Sequence, residues 1–186
     1  MNKEFSRQLM HLAFGIFFIA EILLFGIAAS LMTAIALLVF GVILSLLISE
    51  GISIPLLHKA VKHVERESEQ SMPGKAALVF VLAVIVTIIV FVLQGRAIVL
   101  GALIVLVFGD SFSAIVGKKF GKTKIFGKRT LEGTIAGIIA ASIPLAFLFH
   151  PVLAFLAALA GMLAEYLPFD DNFTVPLAAG LVLIIL

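Results

Sequence analysis

The sequence predicts an all-α integral membrane protein, a polytopic bundle of six or seven transmembrane helices. Its 186 residues are 62% hydrophobic and have a mean hydropathy of +1.26. That is more apolar surface than a soluble domain of this length can bury. The apolar residues are gathered into segments that approach the roughly 20 residues needed to cross a bilayer. Little sequence lies between them, so we expect one transmembrane domain over residues 1–186.

Seven apolar segments account for most of the chain. They lie near residues 9–27, 31–49, 76–94, 97–117, 133–149, 151–167 and 173–186. The first four are long enough to span, and the fifth and sixth are short spans. A helix over the last segment would reach about 21 Å, which is less than the roughly 30 Å of a hydrocarbon core. The predicted number of spans is therefore six or seven.

The basic residues predict the orientation of the bundle. With seven spans, 12 of the 13 lysine and arginine residues fall on the side of the N-terminus, and only Arg96 falls on the other side. Cytoplasmic loops carry such an excess of cations. We therefore expect the N-terminus and the loops that carry the candidate chemistry to face the cytoplasm.

The connection 50–75 predicts a short interfacial helix. Leu57, Val61 and Val64 recur at helical spacing and are surrounded by polar and charged residues. A helix of this kind lies on the membrane surface with its apolar face in the lipid. Pro73 and Gly74 then end it and open the third span.

The stretch 109–137 carries the strongest chemical signal. Asp110 lies inside an apolar run, where an ionisable residue is costly and must face the bundle interior or a polar cavity. A loop with six cations follows, and Glu132 stands at the start of the next apolar run. The cations are Lys118, Lys119, Lys122, Lys124, Lys128 and Arg129. Glycines that let backbone N–H groups approach, together with lysines, favour a phosphate-bearing ligand.

Three further groups lie at the same membrane face. Asp170, Asp171 and Asn172 place several oxygen ligands in one turn, which suits Mg²⁺ held together with substrate phosphates. Arg7 and His11 share a face of the first helix, one turn apart, and are candidates to reach a phosphate or a lipid head group. Thr130 is well placed as an N-cap.

These residues carry a resemblance to a known family. The chain resembles the CTP-dependent polyprenol kinases, which include dolichol kinase, phytol kinase and a CTP-dependent diacylglycerol kinase and are related to the phosphatidate cytidylyltransferases. The matching segments run over 7–11, 109–117, 120–122, 128–134 and 170–176. Gln8 stands where the family usually has lysine. The segment rich in Lys, Asp, Gly and His that is distinctive of the cytidylyltransferases is not found, which favours a kinase.

The resemblance implies a Mg²⁺-dependent transfer of the CTP γ-phosphate to a lipid alcohol. It implies catalytic roles for Asp110, Glu132 and Asp171. The residues implied to hold the nucleotide are Arg7, His11, Lys118, Lys119, Gly121, Lys122, Lys128, Thr130 and Gly133. The candidates for Mg²⁺ are Asp110, Glu132, Asp170, Asp171 and Asn172. In this mechanism Asp110 or Asp171 accepts the hydroxyl proton, and the lysines neutralise charge during transfer.

Two other functions remain open at this point. A cytidylyltransferase would join CMP to a phosphatidate-like lipid and release pyrophosphate. A small transporter or membrane scaffold would use Asp110 as an ion site, although few polar residues continue toward the opposite face. The expected partners are CTP, a lipid alcohol from the bilayer and the membrane itself, with no nucleic acid. The sequence leaves the oligomeric state and the identity of the alcohol open.

Overall fold

The computed structural model describes residues 3–50, 73–127 and 129–186. The predicted interfacial helix falls almost wholly within 51–72 and so lies outside the described residues, as does Lys128. Helices dominate the described part of the chain, as the sequence predicts.

Each predicted apolar segment corresponds to a helix. The helices are α1 (Lys3–Phe25), α2 (Ile27–Ser49), α3 (Lys75–Phe91), α4 (Arg96–Ile104), α5 (Ser111–Phe120), α6 (Leu131–Leu145), α7 (Pro151–Ala164) and α8 (Asp171–Ile185). A 3₁₀ turn, Val92–Gln94, ends α3, and a π-helical segment, Val105–Asp110, joins α4 to α5 without interruption. The fourth predicted span is thus one continuous helical rod, Arg96–Phe120.

Four helical stretches in the described part of the chain are long and apolar enough to cross a membrane. They are Phe5–Phe25, Ile27–Ser49, Lys75–Gln94 and Arg96–Phe120. The other three helices, α6 to α8, have 14 or 15 residues each and reach only about 22 Å. The seventh predicted helix therefore exists, while the number of complete spans stays a prediction.

The rod Arg96–Phe120 forms the centre of the bundle. Every residue from Val99 to Val107 is buried, most of them completely. A helix that is apolar on all sides and surrounded by protein is typical of a bundle core. The π-helical segment contacts α1, α6, α7 and α8. Asp110 is the last residue of this segment, so its backbone is fixed by these contacts.

Glycines bring α5 and α6 unusually close. A Cβ on Gly133 would lie 2.6 Å from the Ser113 carbonyl oxygen and 2.9 Å from the Gly117 Cα. A Cβ on Gly137 would lie 2.7 Å from the Gly109 carbonyl oxygen. This is the small-residue packing by which membrane helices approach each other closely. It fixes the basic loop between the two helices against the end of α5.

Replacement of Gly133 by valine is expected to separate these helices. The added Cβ meets backbone atoms, which cannot move aside, and overpacking of this kind costs about 1–3 kcal/mol. We expect a lower midpoint of thermal unfolding in detergent, followed by circular dichroism. The control is Ile135→Ala, on the exposed side of the same helix, which should shift the midpoint much less. An unchanged midpoint for Gly133→Val would contradict the close packing.

The basic loop contains a small hairpin that the sequence did not predict. Strands β1 (Lys124–Phe126) and β2 (Arg129–Thr130) pair antiparallel, with Lys124 opposite Thr130. Gly127 has a φ of +57°, which glycine adopts at little cost. The Thr123 carbonyl then accepts a hydrogen bond of 2.9 Å from the Leu131 N–H at the start of α6.

Candidate active site

A cavity of about 1120 Å³ opens between the helices and joins the predicted site residues. Eight of the residues predicted to act in the site line it, and they come from α1, the π-helical segment, α5, the hairpin and the turn that begins α8. They are Arg7, His11, Asp110, Lys118, Thr130, Asp170, Asp171 and Asn172. Residues separated by more than 160 positions in the sequence thus meet around one space.

Arg129 links the two acidic elements of the cavity. Its guanidinium donates to the carboxylates of both Glu165 and Asp171. The Glu165 side chain is completely buried, and the Ser113 hydroxyl also donates to it, at 3.1 Å. Because Glu165 follows α7 and Asp171 begins α8, this arginine ties the hairpin to both helices. A planar guanidinium suits such a two-carboxylate contact better than an ammonium group does.

Asp110 faces His11 across the cavity. The distance from Asp110 Oδ2 to His11 Nε2 is 3.9 Å, and both side chains are largely buried. The His11 ring also packs against Phe80 of α3 in a tilted arrangement, with the ring centroids 4.3 Å apart and the ring planes at 56°. His11 thus brings α1 next to Asp110, while its predicted contact with a phosphate or a lipid head group stays a prediction.

The turn before α8 presents its oxygen atoms to the same cavity. Asp170 is the N-cap of the helix, and its Oδ1 accepts hydrogen bonds from the Asn172 backbone N–H at 3.0 Å and from Asn172 Nδ2 at 2.8 Å. Burial raises the pKa of the Asp171 carboxyl to about 6, and the neighbouring Arg129 opposes that rise. Asp170 Oδ1 and the Asp171 carboxylate are thus both held by hydrogen bonds at the start of α8.

Glu132 lies apart from these acids. It does not line the cavity, and its carboxylate accepts hydrogen bonds from the Thr123 N–H at 3.1 and 3.2 Å. Backbone N–H groups at the start of α6, first its own, lower the pKa of the Glu132 carboxyl, and those of Lys122 and Thr123 add to this effect. In the described structure Glu132 stabilises the loop, and its predicted metal-binding and catalytic roles stay predictions.

The other predicted nucleotide contacts that the structure describes are not among the lining residues of the cavity; they are Lys119, Gly121, Lys122 and Gly133. Lys119 places its ammonium 5.2 Å from the centre of the Phe120 ring, and Lys122 is exposed at the start of the loop. Gly121 and Gly133 both pack against the Thr130 hydroxyl, which caps α6 by accepting from the Gly133 N–H at 3.2 Å. In the structure these two glycines allow close packing against Thr130. The sequence predicted a different role for them, which is close approach of the backbone to a phosphate.

The cavity residues that were not predicted as site residues include Ser113, Arg129 and Glu165. Glu165 had the clearest signal, because it is an ionisable residue within the predicted apolar segment 151–167, as Asp110 is within 97–117. In the structure α7 ends at Ala164, and Tyr166 hydrogen-bonds Thr134 of α6 at 2.6 Å. That contact holds the turn so that Glu165 points inward.

Comparison with known proteins identifies the family. The chain matches the cytidylyltransferase family over residues 1–185. It belongs to that family. One relative of the chain is an uncharacterized protein of Methanocaldococcus jannaschii. It is 29% identical, over 97% of this chain and 93% of its own length. No solved structure matches the chain.

Two plant relatives of the chain have a more specific name. Probable chloroplastic phytol kinases of Triticum aestivum and Zea mays are each 28% identical, over the whole chain and 68% of their own length. They confirm the resemblance that the motifs of the sequence predicted. They support a transferase or kinase of the prenol type for this chain.

Proposed function

We propose that the chain is a Mg²⁺-dependent kinase that transfers the γ-phosphate of CTP to the hydroxyl of a membrane isoprenoid alcohol, on the cytoplasmic side. The observation that carries the proposal is the lining of the cavity. It combines carboxylates and cations with apolar side chains of α1, α2 and α3. Such a cavity fits a reaction between a polar, charged donor and a lipid acceptor.

The charges around the cavity favour a nucleotide that arrives with a metal ion. Among the described lining residues, four carboxylates accompany three cations. The carboxylates belong to Asp110, Glu165, Asp170 and Asp171, and the cations to Arg7, Lys118 and Arg129. The carboxylates alone would repel a triphosphate, whereas a divalent cation bound among them would attract it.

The donor set fits Mg²⁺ bound in this way. Among the residues that the structure describes, no three carboxylate or imidazole groups lie together as a self-sufficient metal site. Mg²⁺ is usually held by one or two carboxylates plus substrate phosphates, and Asp110, Asp170 and Asp171 can supply those. When bound, the ion would neutralise charge on the phosphates and orient them.

The protein residues divide the remaining work of the proposed reaction. The alcohol oxygen attacks the γ-phosphorus, the bond to the β-phosphate oxygen breaks, and the hydroxyl proton leaves. Asp110 is the proton acceptor in this scheme, because Asp171 is already paired with Arg129. Arg129 and Lys118 lie where they can stabilise negative charge on the transferred group.

Radiolabel transfer tests the proposal. The purified chain in detergent is incubated with Mg²⁺, an isoprenoid alcohol and CTP labelled at either the γ- or the α-phosphate. We expect γ-label, and no α-label, in the organic phase, and a stronger signal with CTP than with ATP. Absence of γ-label from the lipid with every alcohol tested would overturn the kinase assignment.

The family match favours one second candidate, a CTP-dependent cytidylyltransferase. That enzyme would join CMP to a phosphatidate-like lipid and release pyrophosphate. In the same assay it would place α-label, rather than γ-label, in the lipid. The plant relatives named as probable phytol kinases are the reason that the kinase is placed first.

Removal of the metal is expected to abolish transfer. The described carboxylates would then repel the triphosphate, so we expect at least a ~100-fold loss of rate with excess EDTA and full recovery on adding Mg²⁺ in excess of the chelator. The measurement is initial rate against free Mg²⁺ concentration. A rate that does not respond to chelation would contradict the role assigned to the acids.

A further inference from the structure

Part of the cavity, here called the arm, is lined mainly by apolar side chains of α1, α2 and α3. Its wall on α2 is formed by residues at helical spacing, which are Leu37, Phe40, Gly41, Leu44, Ser45 and Ile48. These positions share one face of the helix. From Leu37 to Ile48 the helix rises about 16 Å, so the arm is long enough for an extended chain.

The walls of this arm expose large apolar side chains. Met10 and Phe14 of α1 are 40% and 38% exposed, and Phe40 of α2 is 59% exposed. All three line the same cavity as Asp110 and Arg129. Apolar surface that faces a cavity, rather than another helix, favours an apolar occupant.

We propose that the arm between α1, α2 and α3 binds the hydrocarbon tail of the lipid substrate, with the hydroxyl directed toward Asp110. This inference rests on the proposed kinase function and names the binding site of its acceptor. In this arrangement the cavity encloses the part of the tail nearest the hydroxyl, and only the distal part extends into lipid.

The arm belongs to the same cavity as Asp110 and Arg129, and this distinguishes it from a second apolar groove. That groove, of about 830 Å³, lies between α1, the central rod and α6, and its lining includes Phe108, Phe112, Ala136 and Ala140. Phe108 and Phe112 lie on the opposite side of the rod from Asp110 and Ser113, by helical spacing. None of the charged residues around Asp110 lines it, so it offers a matched control surface.

Photocrosslinking locates the tail without altering the protein. A prenol with a diazirine on its third isoprene unit is bound to the full chain in detergent, irradiated, and the labelled peptides are identified by mass spectrometry. We expect label on α2 and α3, near Phe40 and Leu78, that excess unlabelled prenol displaces. Label concentrated on Ala136–Ala140, or spread evenly over all helices, would overturn the inference.

A substitution tests whether the arm selects chain length. Gly41→Leu narrows the arm, and the atom that a Cβ there would meet is Leu78 Cδ2, 2.7 Å away at the end of a flexible side chain, so the helices can accommodate it. We expect the KM for a prenol of three isoprene units to rise at least tenfold. The KM for a prenol of one unit, and kcat for both, should stay within twofold of wild type.

The control is Ala140→Leu in the second groove, which should leave both KM values unchanged. One outcome is that the wild type phosphorylates prenols and Gly41→Leu shows the same dependence on chain length. That outcome would overturn the tail site and leave the kinase function intact. If the wild type phosphorylates no alcohol, the proposed function fails instead, and the crosslinking result then decides the tail site by itself.

Discussion

Replacement of Asp110 by asparagine is expected to lower kcat for γ-phosphate transfer by at least ~100-fold. The amide has nearly the same shape as the carboxylate, but it neither accepts the hydroxyl proton nor binds Mg²⁺ strongly. Asp110 lines the cavity, with its Oδ2 atom 3.9 Å from His11 Nε2. The rate is measured at saturating CTP and prenol, so that a loss of affinity is not mistaken for a loss of chemistry.

Glu21 provides the matched control for this substitution. It too is a carboxylate inside a predicted span, but it accepts a hydrogen bond of 2.5 Å from Thr33 of α2 and does not line the cavity. Glu21→Gln keeps a hydrogen-bond acceptor there and should leave kcat within twofold of wild type. Equal losses for Asp110→Asn and Glu21→Gln would mean that both acids only support the fold.

The second large effect is expected from Arg129→Ala. Removing the guanidinium leaves the completely buried Glu165 carboxylate without its cationic partner, and breaking a buried ion pair in this way costs about 3–5 kcal/mol. We expect the midpoint of thermal unfolding to fall by about 10 °C, together with loss of transfer. Arg129→Lys keeps the charge but not the two-carboxylate contact, so its loss should be intermediate.

A double variant separates the two roles of Arg129. In Arg129→Ala combined with Glu165→Gln, no buried charge is left unpaired, so most of the thermal stability should return. Activity should not return, because the cation that stabilises the transferred phosphate is still absent. Recovery of both stability and activity would show that Arg129 serves the fold alone.

The helices could be predicted because hydropathy alone determines them. All seven apolar segments form helices, and Asp110 was located from the cost of an ionisable group in lipid. The closeness of α5 and α6 was not predicted, because Gly133 and Gly137 matter through the atoms opposite them, Ser113 and Gly109. The spacing of glycines in one segment does not identify the helix against which they pack.

The same distinction applies to the site residues, because their charges could be predicted from the sequence but their contacts could not. Asp171 and Arg129 were visible as charges in the sequence, but their contact depends on how the hairpin meets α8. Glu132 has the sequence position of a ligand, while its carboxylate binds the Thr123 backbone in the structure. The inward position of the Glu165 carboxylate could not be predicted, because it depends on the end of α7 at Ala164. Pairing across helices is a property of packing, and local sequence does not encode it.

The measurement that tests the central claim most directly is the identity and ratio of the reaction products. Wild-type protein, CTP, Mg²⁺ and a prenol are incubated, and nucleotides and phosphates are followed by ³¹P NMR. The proposed function predicts one CDP and one prenyl monophosphate for each CTP consumed, with neither formed by Asp110→Asn. Release of pyrophosphate with formation of a CDP-lipid from phosphatidate, and no CDP with any alcohol, would contradict it.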